Sequence, residues 1–152
     1  MKKRNQIEEK YKWNLEDIYK SEDELMADIE KLKSYPEKLA NYKGKLKKVN
    51  NCLEFFELST KVSKIIERVE IYISLKLSED LEDNKFQELS SIVSYIAKNL
   101  SVATSFEEPE LLSYGEKYIN KLLKDERFKD YSMSLKNFLR NKDHIRSEEH
   151  TV

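Results

Sequence analysis

The chain has 152 residues and a formal net charge of −1, with 28 Lys and Arg against 29 Asp and Glu. That balance argues against a nucleic-acid partner, because domains that bind nucleic acids normally carry a clustered basic excess. No apolar run approaches the roughly 20 residues of a membrane-spanning helix, so we predict neither a nucleic-acid nor a membrane partner.

The numbers of cysteine, glycine and proline residues further limit the cellular compartment and the fold class that we expect. Cys52 is the one cysteine, which excludes an internal disulfide and fits a reducing compartment. Met1 to Arg4 begin like a signal peptide, but polar residues follow instead of an apolar stretch, so a soluble cytoplasmic protein is expected. With 2 Gly and 2 Pro in the chain, folds built on glycine turns are disfavoured and long helices are favoured.

The predicted architecture is all-α. The length favours a single helical domain over residues 1–152, with flexible ends at residues 1–12 and 143–152. Within it we expect antiparallel helical hairpins, or a bundle of about five or six helices, with one long central hairpin.

The first predicted helices follow the polar start. Asn14 is a plausible N-cap of a short helix that ends near Tyr19. Ser21–Glu24 is a capping-box pattern, serine followed three residues later by glutamate, and it predicts the start of a second helix. Pro36 should kink or end that helix, because proline lacks the amide hydrogen and clashes with the preceding turn. One further turn leads to Gly44, which should stop the helix.

The longest periodic stretch runs from about Asn51 to Ser78 and predicts a long amphipathic helix. Its apolar stripe consists of Leu53, Phe56, Ile65, Ile66, Val69, Tyr72 and Ile73. A polar break at Leu81–Asn84, with Asp83 or Asn84 as the cap, separates it from another long helix. Because the break is short, the two helices should form an antiparallel hairpin. The second of them carries Phe86, Leu89, Ile92, Val93, Ile96, Leu100 and Ala103.

Shorter segments follow the hairpin. Glu108 and Pro109 open a helix, since proline in a first turn costs little. Gly115 is expected to divide this segment. The last predicted helix carries Phe128, Tyr131, Leu135, Phe138 and Leu139.

The two histidines do not match a zinc peptidase. Such an enzyme needs two histidines one helical turn apart, with a glutamate between them to activate the metal-bound water. His144 and His150 fit neither His-Glu-x-x-His nor the inverted His-x-x-Glu-His spacing. The terminal His and Glu side chains could still hold a metal loosely, although a solvated segment is the favoured interpretation. We therefore predict no catalytic and no metal-binding residue in the chain.

Other reactive groups have simpler explanations. A helix N-terminus lowers a thiol pKa, but Cys52 has no histidine near it in the sequence, so a small apolar packing residue is the favoured interpretation. Adjacent carboxylates such as Glu107 and Glu108 are expected by chance in a chain that is 38% charged. No general acid or base is assigned.

Aromatic residues are concentrated near the N-terminus. Tyr11, Trp13 and Tyr19 either fill the local core or anchor a neighbouring surface, and core packing is favoured for a single domain. The candidates for domain docking are Trp13, Tyr19, Tyr72 and His144.

Three stretches carry a resemblance to a known family. They are Tyr11–Tyr19, Tyr42–Leu46 and Arg140–His144, the last followed by Ser147–Glu149; between them, Tyr72–Asp83 follows the pattern of a hairpin. In this order they resemble the N-terminal helical region of the oligoendopeptidase F family of zinc metallopeptidases.

The resemblance implies a function. Enzymes of this family are all-helical zinc endopeptidases that cut short peptides, mostly inside cells, and their N-terminal helices cover a deep channel. The metal motif lies in a later, larger part, so zinc is expected there and no cofactor in this chain. The implied partners are that catalytic domain or a second copy through an exposed apolar face, with peptides contacted indirectly.

The chain departs from the family pattern at Arg146, where leucine is usual. It also stops at Val152, which suggests either a cut at a domain boundary or a shortened or frame-shifted gene. Two alternatives stay open: a free-standing helical interaction module without a peptidase link, and an enzyme that uses the C-terminal His and Glu residues.

Overall fold

The computed structural model describes the backbone of residues 14–149 and the side chains of residues 14–142. Seven α-helices and one 3-10 helix, Glu126–Tyr131, follow one another in this part of the chain. The α-helices are α1 (Leu15–Ile18), α2 (Glu22–Ala40), α3 (Val49–Glu79), α4 (Asn84–Ala103), α5 (Glu107–Ser113), α6 (Glu116–Lys124) and α7 (Ser132–Glu149). Residues 14–149 contain no strand, and the predicted all-α class is confirmed.

The described residues fall into two compact units. The first unit consists of residues 14–38 and 60–102, and the second of residues 39–59 and 103–149. Helix α3 contributes its first eleven residues, 49–59, to the second unit and its remainder to the first. The single domain over residues 1–152 stays a prediction.

The predicted helix caps are present. The Asn14 side chain accepts a hydrogen bond of 3.1 Å from the amide two residues further on, and Asp83 does the same at 3.0 Å for α4. Ser21 Oγ accepts from the amide of Glu24 at 3.3 Å. The carboxylate of Glu24 reaches back to the amide of Lys20 and not to that of Ser21. These bonds satisfy amides that have no partner inside the helix.

Proline does not end the second helix. Helix α2 runs past Pro36 to Ala40, so of the two predicted outcomes, a kink or an end, the end does not occur, and the chain continues towards Gly44 as predicted. Proline removes one backbone hydrogen bond, and this loss is offset because Tyr35 and Leu39, on either side of it, are buried. The chain then turns through Gly44, whose φ of +81° lies in the left-handed region that favours glycine.

The predicted central hairpin forms within the first unit. The ring of Tyr72 on α3 lies 6.3 Å from the ring of Phe86 on α4, and a turn at residues 80–83 joins the two helices. An ion pair between Glu22 and Lys85 connects the start of α2 with α4.

Each unit has its own set of buried side chains. Those of the first unit are Tyr19, Leu25, Ile29, Leu32, Tyr35, Val62, Val69, Tyr72, Ile73, Phe86, Leu89, Val93 and Ile96. Those of the second are Leu39, Leu46, Cys52, Phe55, Phe56, Leu111, Ile119, Leu122, Phe128 and Leu135. Among residues 14–142 no charged side chain is buried, as expected from the cost of removing a charge from water.

Candidate functional site

Two of the predicted docking residues meet in the first unit. Tyr19 and Tyr72 are 2% and 5% exposed, and their rings pack edge to face with centroids 5.5 Å apart. The guanidinium of Arg68 lies 4.2 Å above the Tyr19 ring and donates to the carbonyl of Ile18. The Tyr19 hydroxyl donates to Asp28 at 2.7 Å. The cluster joins α1, α2 and α3.

These contacts favour core packing for both tyrosines. Burial, followed by the hydrogen bond to Asp28, raises the pKa of Tyr19 well above its usual value, so its hydroxyl stays a donor. Trp13 lies outside the described residues. The backbone of His144 belongs to α7, but its side chain lies outside the described set. Domain docking through these four residues stays a prediction.

A cleft opens between α3 and α4, also within the first unit. Its volume is about 470 Å³, inside the range of roughly 300–1,000 Å³ that is typical of ligand pockets. The lining residues are Glu70, Ile73, Ser74, Leu77, Ser78, Leu81, Ser90, Val93 and Ser94. Glu70 is the one charged residue among them. An apolar floor with hydroxyl walls suits the packing of another protein segment, whereas it offers no pair of groups for acid–base chemistry.

The second unit is organised around the carboxylate of Glu110. Its oxygens accept hydrogen bonds from the amides of Gly44 and Leu46, the latter at 2.9 Å, and from the hydroxyl of Tyr114 at 2.9 Å. Tyr118 donates to the carbonyl of Leu46. The turn between α2 and α3 is thus fixed to α5 and α6. No sequence pattern predicted this role, because Gly44 and Glu110 are 66 positions apart.

Replacing Glu110 by alanine should destabilise the protein by about 1–3 kcal/mol, because the partly buried amide of Leu46 loses its acceptor. Urea unfolding followed by circular dichroism measures the change. Glu116→Ala, at an exposed glutamate in the first turn of α6, is the matched control and should alter stability by less than about 0.5 kcal/mol. Equal effects of the two substitutions would contradict a structural role for Glu110.

Cys52 lies in the first turn of α3 and is 0% exposed. Burial, with a smaller contribution from the negative charge of Glu107, raises the pKa of its thiol to about 12. The hydroxyl of Tyr118 is hydrogen-bonded to the thiol. Since a nucleophilic cysteine has to be a thiolate, these surroundings support the interpretation of Cys52 as a packing residue.

Glu107 is the most perturbed carboxyl group in the second unit. It occupies the first turn of α5, where unpaired backbone amides normally favour a negative charge. Its side chain is half-buried, and this partial burial, followed by the neighbouring charge of Glu108, instead raises the pKa of Glu107 to about 7. A proton held at this pKa is suited to general acid–base work, but the raised pKa of the Cys52 thiol means that this cysteine is not activated as a nucleophile beside it.

The comparisons with known proteins agree on one family. A family model described as Oligopeptidase F matches residues 110–150. The chain is 28% identical over 150 residues to the plasmid-encoded oligoendopeptidase F of Lactococcus lactis, which covers 97% of this chain and 25% of the relative. It is 28% identical to the group B oligopeptidase PepB of Streptococcus agalactiae, over 95% of this chain and 24% of the relative. These matches make the chain similar to the oligoendopeptidase F family.

A third relative, the oligopeptidase PepF of Bacillus subtilis, is 26% identical over 95% of this chain and 22% of its own length. The chain therefore spans about a quarter of the length of the curated relatives it matches, and the matches support a likeness to the N-terminal domain of the oligoendopeptidase F family. No solved structure gives a significant match.

A zinc site requires several His, Cys, Asp or Glu side chains close together. The part of the chain that the structure describes contains no group of three His, Cys, Asp or Glu side chains that could hold a metal ion. The alternative metal site at the C-terminus falls outside the described side chains, so its absence stays a prediction. None of the helices formed by the described residues combines the length and the apolar character needed to cross a membrane.

Proposed function

We propose that this chain is the non-catalytic N-terminal part of an oligoendopeptidase F-like zinc metallopeptidase, which packs on the catalytic part and helps to shape its peptide channel. The observation that carries the proposal is the pattern of coverage. Relatives named oligoendopeptidase F match 97% of this chain over only 25% of their own length, so about three quarters of such a protein would have to supply the reaction.

The chemistry of the described side chains supports an accessory role. The Cys52 thiol is buried with a raised pKa, so the Glu107 carboxyl, whose pKa is also raised, has no activated cysteine to assist. Zinc would be held outside this chain, and peptides would be contacted indirectly. We place the protein in the cytoplasm, since a single cysteine suits a reducing compartment.

The cleft between α3 and α4 is the proposed surface for the catalytic part. Its floor is formed by Ile73, Leu77 and Val93, and the half-exposed Leu81 lies at its rim. Four of the residues in the walls are serines, and their short side chains let the backbone of another segment approach closely. When a partner covers apolar surface of this kind, its removal from water stabilises the complex.

A chimera tests the proposal. The matching quarter of the Lactococcus lactis oligoendopeptidase F is replaced by this chain, and hydrolysis of a short fluorogenic peptide is measured with zinc present. We expect the chimera to cleave the peptide, whereas the isolated chain with zinc should not. A folded but inactive chimera would favour the free-standing interaction module, and cleavage by the isolated chain would remove the accessory role.

Two serine variants of the chimera test the cleft. Ser74→Trp fills it and should lower activity by about tenfold or more, because small displacements of a supporting element misplace the reacting groups. Ser63→Trp places the same side chain at another exposed serine of α3 that does not line the cleft, and should leave activity unchanged. An equal effect of both variants would argue against the cleft as the contact surface.

A further inference from the structure

Helix α4 presents a regular stripe of exposed side chains. Positions spaced alternately four and three residues apart share one face of a helix, and here they are Asn84, Glu88, Ser91, Tyr95, Lys98 and Val102. All six are exposed. Tyr95 and Val102 are 67% and 66% exposed and rank among the largest apolar side chains on the surface. Spacing of this kind is the geometry by which two helices pack along their length.

The same helix is poor in charge. Lys85, Glu88 and Lys98 are the three charged residues among its twenty, in a chain that is 38% charged overall. Lys85 already pairs with Glu22, so Glu88 and Lys98 are the charges left for the stripe. Neither has an ion-pair partner among the described residues. Depletion of charge around exposed aromatic residues distinguishes the centre of protein interfaces from other surface.

The charges along the stripe are complementary to those of a second copy of α4 that runs in the opposite direction. About a two-fold axis beside Val93, an antiparallel second copy of α4 places its Lys98 opposite Glu88, and its Glu88 opposite Lys98. Tyr95 then lies over the small side chain of Ser91 from the other copy, and Val102 lies opposite Asn84. A parallel arrangement would instead place like charges opposite each other, which is destabilising.

We propose that this stripe is the surface through which two copies of the chain associate, as an antiparallel pair of α4 helices. The contact is isologous, because each copy contributes the same residues. One pair of helices about 30 Å long gives an interface at the small end of the known range, so the dimer should be weak and depend on protein concentration. This inference goes beyond the proposed function and does not depend on it.

Charge reversal tests the pairing. Sedimentation equilibrium of the wild-type chain should show a monomer–dimer equilibrium between micromolar and near-millimolar concentrations. Lys98→Glu places glutamates opposite each other at both ends of the stripe and should weaken dimerisation by about tenfold or more. The double variant Glu88→Lys with Lys98→Glu restores both opposite-charge pairs and should restore the wild-type dissociation constant.

Lys31→Glu, an equal change of charge at an exposed position of α2, is the control and should leave the equilibrium unaltered. Circular dichroism establishes that each variant is folded. A wild-type chain that stays monomeric at the highest concentration overturns the proposal. So does a dimer that is indifferent to Lys98→Glu, or a double variant that fails to regain association.

Discussion

Replacing Phe55 by alanine is expected to lower the free energy of unfolding by about 3–5 kcal/mol. Phe55 is 0% exposed, and its ring contacts Tyr42, Phe56 and Phe106 at centroid distances of 5.8, 6.1 and 5.3 Å. The substitution removes an aromatic side chain from the centre of the second unit and leaves a cavity that three rings cannot fill. Urea unfolding followed by circular dichroism measures the loss.

Two comparisons separate this effect from a general sensitivity to substitution. Phe55→Leu keeps most of the volume and should cost clearly less than Phe55→Ala. Met133→Ala, at a side chain that is 69% exposed, should change the free energy of unfolding by less than about 0.5 kcal/mol. If Phe55→Ala proved as mild as Met133→Ala, the aromatic core of the second unit would not be as the structure describes it.

The raised pKa of Glu107 predicts that stability depends on pH. Its carboxyl has a pKa of about 7 in the folded protein, against 4.5 for the ordinary group, so the folded state holds its proton more tightly than the unfolded state does. The resulting stabilisation is complete below pH 4.5 and is lost as the pH rises to about 7. Since one pKa unit corresponds to roughly 1.4 kcal/mol, the free energy of unfolding should fall by about 3 kcal/mol over this range.

Glu107→Gln should remove this dependence, because the amide stays neutral at every pH. The variant should match the wild type near pH 4 and exceed its stability by about 2–3 kcal/mol at pH 8, both measured by urea unfolding. Glu116→Gln, at an exposed glutamate, is the control and should follow the wild type throughout. A Glu107→Gln variant that is less stable than the wild type at pH 8 would show that the carboxylate is stabilised, not penalised, by its surroundings.

Local patterns predicted the helices well. The caps at Asn14, Ser21 and Asp83, and the division at Gly115, depend on residues a few positions apart, and each is present. Of the kink or end predicted at Pro36, the end does not occur, because burial on both sides of the proline is a tertiary effect that the local rule does not include.

For the predicted docking candidates, by contrast, local sequence patterns could not decide between the core and the surface. Exposed and buried aromatic residues have the same appearance in a sequence, so Tyr19 and Tyr72 could be assigned either to the core or to a surface. The structure places both rings in the core of the first unit and leaves Tyr95 on the surface instead. Tyr95, which was not among the predicted docking candidates, is therefore the side chain that carries the proposed contact between copies.

The amino-acid sequence by itself determined the all-α class, the order of the helices and the resemblance to the oligoendopeptidase F family, because helical periodicity, capping and motif order are properties of neighbouring residues. Only the tertiary structure decided which distant groups meet. Glu110 bonds to Gly44 and Leu46 across more than sixty positions, and Arg68 reaches back to Ile18 across fifty. The burial that raises the pKa of Glu107 and Cys52 likewise arises once the helices pack, since desolvation depends on every neighbour in space and not on those in the chain.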